Sequence, residues 1–170
     1  RADDNAQILR NQGVSLEELC PSYQNGAVAS DEYMLAKNAI TPEARDNAKN
    51  ARAGSYAFLF RPGIDMTAQS ISLNGGMVIL LGAQNNGTWR SEFPNPPTYR
   101  QWGHFIYAGK ARMIDGKKYI GVLNSMGEDV GARGWQWLGE DYFNSGFIET
   151  GVTAVLQLPP AEAYKFSRDL

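Results

Sequence analysis

Cysteine and histidine are each present once in the 170 residues, as Cys20 and His104. An intrachain disulfide, a zinc finger and any site that needs two imidazoles are thereby excluded. Charge of one sign is lacking too: sixteen Lys and Arg face eighteen Asp and Glu, for a net charge of -2 with no block of like charge. That balance argues against a nucleic-acid partner and against a polybasic membrane surface. Long apolar runs are missing, since even residues 77–81 give only five in a row, against the ~20 needed to cross a bilayer. No membrane span and no signal-peptide core are expected. An initiating methionine is absent as well, because the chain opens at Arg1; it reads as a processed product or a piece of something larger. What is present, 43% apolar and 11% aromatic residues, describes one ordinary globular domain over residues 1–170.

The first third is polar and reads as helical. Asp3 or Asp4 can cap a short helix through Ala6, Ile8 and Leu9 that stops at Gly13, and Ser15-Leu16-Glu17-Glu18 has capping-box spacing. A second helical stretch covers residues 31–38. Thr41-Pro42-Glu43 then supplies an N-cap, a proline at the first helical position and an early acid for a helix expected to end at Gly54. After Gly54 the pattern changes. Ser55-Tyr56-Ala57-Phe58-Leu59-Phe60, closed by Arg61-Pro62-Gly63, reads as a strand. Asp65 can cap a helix ending at Asn74-Gly75-Gly76, and residues 77–81 form a buried strand. A long loop over residues 84–101 carries Pro94, Pro96 and Pro97, and loops of that length are often functional. Strands at 105–114 and 119–124 flank Asp115-Gly116, a strong hairpin signal. A glycine- and tryptophan-rich segment at 127–139 and a last strand at 147–156 complete the chain. The expected class is α+β: a helical portion over 1–54, then a β-rich, mostly antiparallel and barrel-like portion over 55–170.

One constellation carries chemistry. Gly103-His104 opens a strand, and Leu123-Asn124-Ser125-Met126-Gly127-Glu128 closes its hairpin partner. A thiolate–imidazolium enzyme needs such a pair, because the imidazole must take a thiol proton and deliver it to a leaving group. An asparagine oxygen on the other ring nitrogen fixes its tautomer. The simplest hairpin opposes this. With Asp115-Gly116 as a two-residue turn, paired residue numbers sum to about 231, and His104 and Asn124 then point to opposite faces. Direct opposition needs a sum of about 228, from a turn centred on Ile114 or three extra residues bulged into the first strand between Tyr107 and Gly116.

At these residues the chain resembles the papain-like cysteine peptidases, in which a Gly-His or Asp-His pair opens a strand and the return strand ends in Asn-Ser-Trp-Gly. The resemblance reaches upstream through residues 65–81 and, more loosely, to Gly13-Val14-Ser15-Leu16-Glu17-Glu18-Leu19-Cys20-Pro21-Ser22-Tyr23. It implies a papain-like fold with His104 and Asn124 as catalytic residues, no cofactor, no metal, and a peptide or protein substrate. Two departures stand out. Met126 occupies the position of the family's tryptophan, the ring that shields the Asn–His hydrogen bond from water. The family's cysteine lies roughly 130–150 residues ahead of its His and Asn, which puts the expected nucleophile about 26 residues before Arg1; Cys20 is far from that position. The resemblance therefore implies the His/Asn-bearing portion of a peptidase that hydrolyses peptide bonds once joined to a Cys-bearing portion. The alternative is an inactive papain-like fold kept as a structural or binding subunit, associated with another chain or with itself. Its setting would be extracellular or a surface or virion assembly.

Other residues have plainer readings. Cys20, in Leu19-Cys20-Pro21, lacks the glycine-rich context that seats a thiolate at an open helix N-terminus. The aromatics Trp89, Phe93, Tyr99, Trp102, Trp135, Trp137, Tyr142 and Phe143 suit either a sugar-stacking platform or core anchors. Glu128, Asp129, Glu140 and Asp141 form an acidic group without an EF-hand pattern, and read as a solvated rim rather than a Ca2+ site.

Overall fold

The structure, a computed structural model, describes residues 2–16, 18–21, 23–24, 27–28, 30, 32–33, 36 and 40–157. In chain order these form α1 (Ala2–Asn11), β1 (Tyr23–Gln24), β2 (Ala27–Val28), α2 (Pro42–Ala48), β3 (Arg52–Phe60), α3 (Ile64–Asn74), β4 (Met77–Ala83), β5 (Trp102–Ile114), β6 (Lys117–Leu123), β7 (Trp135–Gly139), α4 (Glu140–Asn144) and β8 (Ile148–Gln157). The class is α+β, as the order of patterns implies. Two compact units divide the chain between Tyr56 and Ala57, with residues 155–157 belonging to the first. No helix among the described residues is long and apolar enough to cross a membrane.

In the first unit, the Thr41 hydroxyl accepts from the Ala44 N–H at 3.1 Å and Pro42 opens α2, the expected cap. The helix stops at Ala48, short of the expected Gly54. The N–H groups of Lys49, Asn50 and Ala51 bond three residues back, tightening the chain into turns, and β3 begins at Arg52. Gly13 has φ 87°, and its missing Cβ leaves room for the Ala48 carbonyl, beside which Val14 N–H donates to Ala51 O at 3.0 Å. The N–H groups of Leu19 and Cys20 both donate to Leu16 O, at 3.1 and 3.2 Å. There the Ser15 hydroxyl donates to Leu16 O and caps no helix, and Glu17 lies outside the described residues. The expected helix over 31–38 falls for the most part outside the described residues too.

The second unit is built on a sheet of strand order β3-β8-β4-β5-β6-β7, whose ladders from β8 to β7 are antiparallel. Alternation along the strands turns Met77, Ile79 and Leu81, then Ile106 and Ala108, then Ile120 and Val122 toward one face. Ile71 of α3, Leu138, Tyr142 and Ile148 pack with them. Each buried Ile, Leu, Val or Met side chain among them contributes roughly 1.5–3 kcal/mol of transfer free energy. Gly63, not Asp65, is the residue that starts α3; the Thr67 hydroxyl donates back to Gly63 O, which leaves Asp65 in the first turn, paired at 2.8 Å with Lys118. Gly75, at φ 77°, ends that helix. β7 and α4 are additions to the expected elements, inside and just after the glycine-rich segment.

Asp115 and Gly116 have φ 49° and 76°, the double positive pair of a tight two-residue turn, with Ile114 opposite Lys117. The ladder runs regularly back to Lys110 opposite Gly121 and then shifts, so that Ala108 faces Val122 and Tyr107 faces Leu123. Gly109 is the extra residue, a one-residue bulge.

Candidate active site

The bulge decides which way His104 points. In an unbroken two-residue hairpin, odd-numbered residues of β5 would share the core face with Ile120 and Val122. Gly109 reverses that parity for everything before it, so His104, Ile106 and Ala108 face inward together with Leu81, the residue opposite His104. Asn124 continues the inward row of Ile120 and Val122. The irregularity lies where it was expected, but it is smaller. One extra residue replaces three, the turn stays on Asp115-Gly116, and paired numbers near the site sum to 230 rather than 228. His104 and Asn124 are therefore diagonal neighbours on one face rather than directly opposed, which long side chains bridge.

His104 Nε2 and Asn124 Oδ1 are 3.3 Å apart. Asn124 is 5% exposed, so its amide meets few competing waters. The Met126 N–H donates to the same Asn124 oxygen at 3.3 Å. With Nε2 donating to Asn124, the neutral ring keeps its proton there and leaves the Nδ1 lone pair for a proton donor.

Two further residues reach this site, and neither was singled out for it in the sequence. Trp89, from the long loop, is buried and stands edge-on to His104, with ring centroids 5.8 Å apart and an interplanar angle of 83°. It meets Trp102 in the same manner at 6.1 Å. Met126 is 45% exposed, so Trp89 is the aromatic wall beside this histidine. Gln136, the second residue of β7, is 1% exposed and accepts from Asn124 Nδ2 at 2.7 Å. Its own Nε2 donates to the backbone carbonyls of Trp89 at 2.5 Å and Ser91 at 3.0 Å. The loop is held to the sheet by backbone as well: Gly131 N–H donates to Arg90 O at 3.0 Å and Trp137 N–H to Glu92 O at 2.7 Å. The length of the 84–101 segment was the only signal for Trp89. For Gln136 the sequence misleads, since Trp135-Gln136-Trp137 suggests aromatics inward and the amide outward. Val122 opposite Gln136 shows the reverse.

Other candidates have surroundings of their own. Cys20 is half-buried in the turn of the first unit. Trp137 and Tyr142 are buried, while Lys110 and Arg112 sit over the rings of Trp135 and Trp137 at 3.9 and 3.8 Å, so these aromatics present no open stacking platform. Burial also pushes the Tyr142 hydroxyl well above the ordinary tyrosine range, and it donates to Gly82 O at 2.9 Å. Among the described residues no three His, Cys, Asp or Glu side chains are grouped to hold a metal ion.

No family model and no curated protein matches the sequence. Solved structures do match. Xylellain, a cysteine protease from Xylella fastidiosa, is 18% identical with a TM-score of 0.67, over 90% of this chain and 60% of that one. The bromelain protease of Ananas comosus, solved with the inhibitor E64, is 20% identical with a TM-score of 0.62, over 89% of this chain and 66% of its own. Procathepsin L 3 of the Tenebrio molitor larval midgut is 16% identical with a TM-score of 0.64, over 90% and 47%. The chain thus spans from about half to two thirds of the length of these structures. At such identities the likeness speaks for architecture, and the architecture of this chain is the papain-like cysteine protease fold.

Proposed function

We propose that this chain is the His/Asn-bearing portion of a papain-like cysteine peptidase, with His104 as general base and acid and Asn124 as the residue that orients it. The observation that carries the reading is the 3.3 Å approach of His104 Nε2 to Asn124 Oδ1 on the core face of the sheet. The nucleophile is a cysteine of a separate or preceding segment. Its thiol gives a proton to His104 Nδ1, the thiolate attacks the peptide carbonyl, and the imidazolium returns the proton to the departing amine. Water then hydrolyses the acyl-enzyme with the same base. The substrate is a peptide or protein.

The test is to treat native material from the source with a peptidyl epoxide that alkylates active thiolates. Labelling of a cysteine other than Cys20, lost in His104→Ala, is the expected result. Absence of any label sinks the peptidase reading.

A second reading, an inactive fold serving as a binding subunit, is favoured by a different observation. Val78, Phe105, Tyr107 and Leu123 occupy adjoining, paired positions on the outward face of β4, β5 and β6, and all are exposed. Contiguous apolar surface of this kind marks interaction sites. Sedimentation of a stable monomer at micromolar concentration argues against it.

A further inference from the structure

The amide of Asn124 can be placed in two orientations that differ only in which end faces His104, and only one of them leaves the imidazole useful. We infer that Gln136 is the positioning residue that selects it, and through it the tautomer of His104; the inference rests on the His–Asn reading above. The order of donors and acceptors is dictated from backbone groups that cannot change roles. The carbonyls of Trp89 and Ser91 only accept, so the end of Gln136 within 2.5 and 3.0 Å of them is its NH2 group. Gln136 Oε1 is thereby turned to Asn124 and can only accept, so the end of Asn124 that meets it at 2.7 Å is the NH2. Asn124 Oδ1 is left facing His104, where the Met126 N–H, which only donates, supports the same assignment from the other side. Nε2 of the neutral ring then holds the proton and Nδ1 is bare.

Among the described residues the side chain of Gln136, 1% exposed on the edge strand β7, bonds only to Asn124 and to the carbonyls of Trp89 and Ser91. An apolar residue would fill that space without the cost of burying two polar ends. The chain of bonds also fastens the backbone of Trp89, whose ring stands beside His104, so one side chain governs both the hydrogen-bonding and the aromatic wall of the imidazole.

His104 is the only histidine, so imidazole nitrogen NMR of the 15N-labelled 170-residue chain, recorded at alkaline pH, reads this one ring. In the wild type, one protonated Nε2 and one bare Nδ1 resonance are expected, with the side-chain NH2 groups of Asn124 and Gln136 slow to exchange with solvent. Freely exchanging NH2 groups, or a dominant Nδ1–H tautomer, overturn the inference without any variant having to fold. Gln136→Met should lose the separation between the two nitrogen resonances as both tautomers populate, and an unchanged spectrum in the folded variant also overturns it. Asn124→Ala distinguishes the levels. If it shifts the tautomer while Gln136→Met does not, the His–Asn pair stands and the role of Gln136 falls. If it too leaves the ring unchanged, the pairing itself falls.

Discussion

At the scale of the residue, the site is a buried polar chain, and such chains are costly when broken. Asn124→Ala removes the donor for Gln136 Oε1, leaving a buried acceptor without a partner. A loss of about 1–3 kcal/mol is expected in a urea denaturation series. Tyr142 gives a pH signature. Its hydroxyl is raised in the folded state by burial, so its contribution is complete below the ordinary tyrosine pKa of about 10 and is lost as pH rises beyond it. Tyr142→Phe should therefore cost about 0.5–1.5 kcal/mol at neutral pH, through the lost bond to Gly82 O. The same variant should flatten the alkaline decline of stability, which thermal melts between pH 8 and 11 would record. An equally steep decline in the variant assigns that limb to other groups. At this scale the sequence marked His104 and Asn124 as candidates because their residue types and neighbours are chemically distinctive. It concealed Gln136 and Trp89, since an amide or an indole gains its role only from what the fold sets beside it.

At the scale of the element, the β5–β6 hairpin combines a local rule with a non-local correction. Asp115-Gly116 obeys the rule, and Gly116→Ala, at φ 76°, should cost about 1–2 kcal/mol because an L side chain is disfavoured there. Gly109 is the correction. Because Ala108 already faces Val122 and Lys110 already faces Gly121, deleting Gly109 leaves a regular ladder with every face preserved. The deletion is expected to fold and to keep the His104 nitrogen spectrum of the wild type. Deleting Phe105 instead turns His104 and Trp102 to the outer face, and the Nε2–H preference should vanish. Equal behaviour of the two deletions would show that the inward parity of His104 does not set the site. The hairpin was legible from two residues. The bulge was inferred only from a conflict between turn and chemistry, and its size was overstated because facing side chains were required to be direct partners when a diagonal pair suffices. β7 went unseen for a related reason: five residues among glycines become a strand only when β6 offers them an edge.

At the scale of the whole molecule, the proposed peptidase role assigns the thiolate to a cysteine other than Cys20. The 170-residue chain alone is expected to hydrolyse no peptide substrate, and a peptidyl epoxide should leave Cys20 unlabelled under conditions that label an active peptidase. Labelling of Cys20 that disappears in His104→Ala would show that this thiol is the nucleophile after all. The α+β order, the change of character near Gly54, the Thr41 cap, the tight turn and the candidacy of His104 and Asn124 were legible in the sequence itself, because each depends on residues close in the chain or on a distinctive residue type and its neighbours. The face on which His104 lies, the inward turn of Gln136 and the approach of Trp89 were decided by tertiary structure. Each depends on the register between strands and on a loop closing over them, and register is set by the sum of many weak burial terms that no short window of sequence contains.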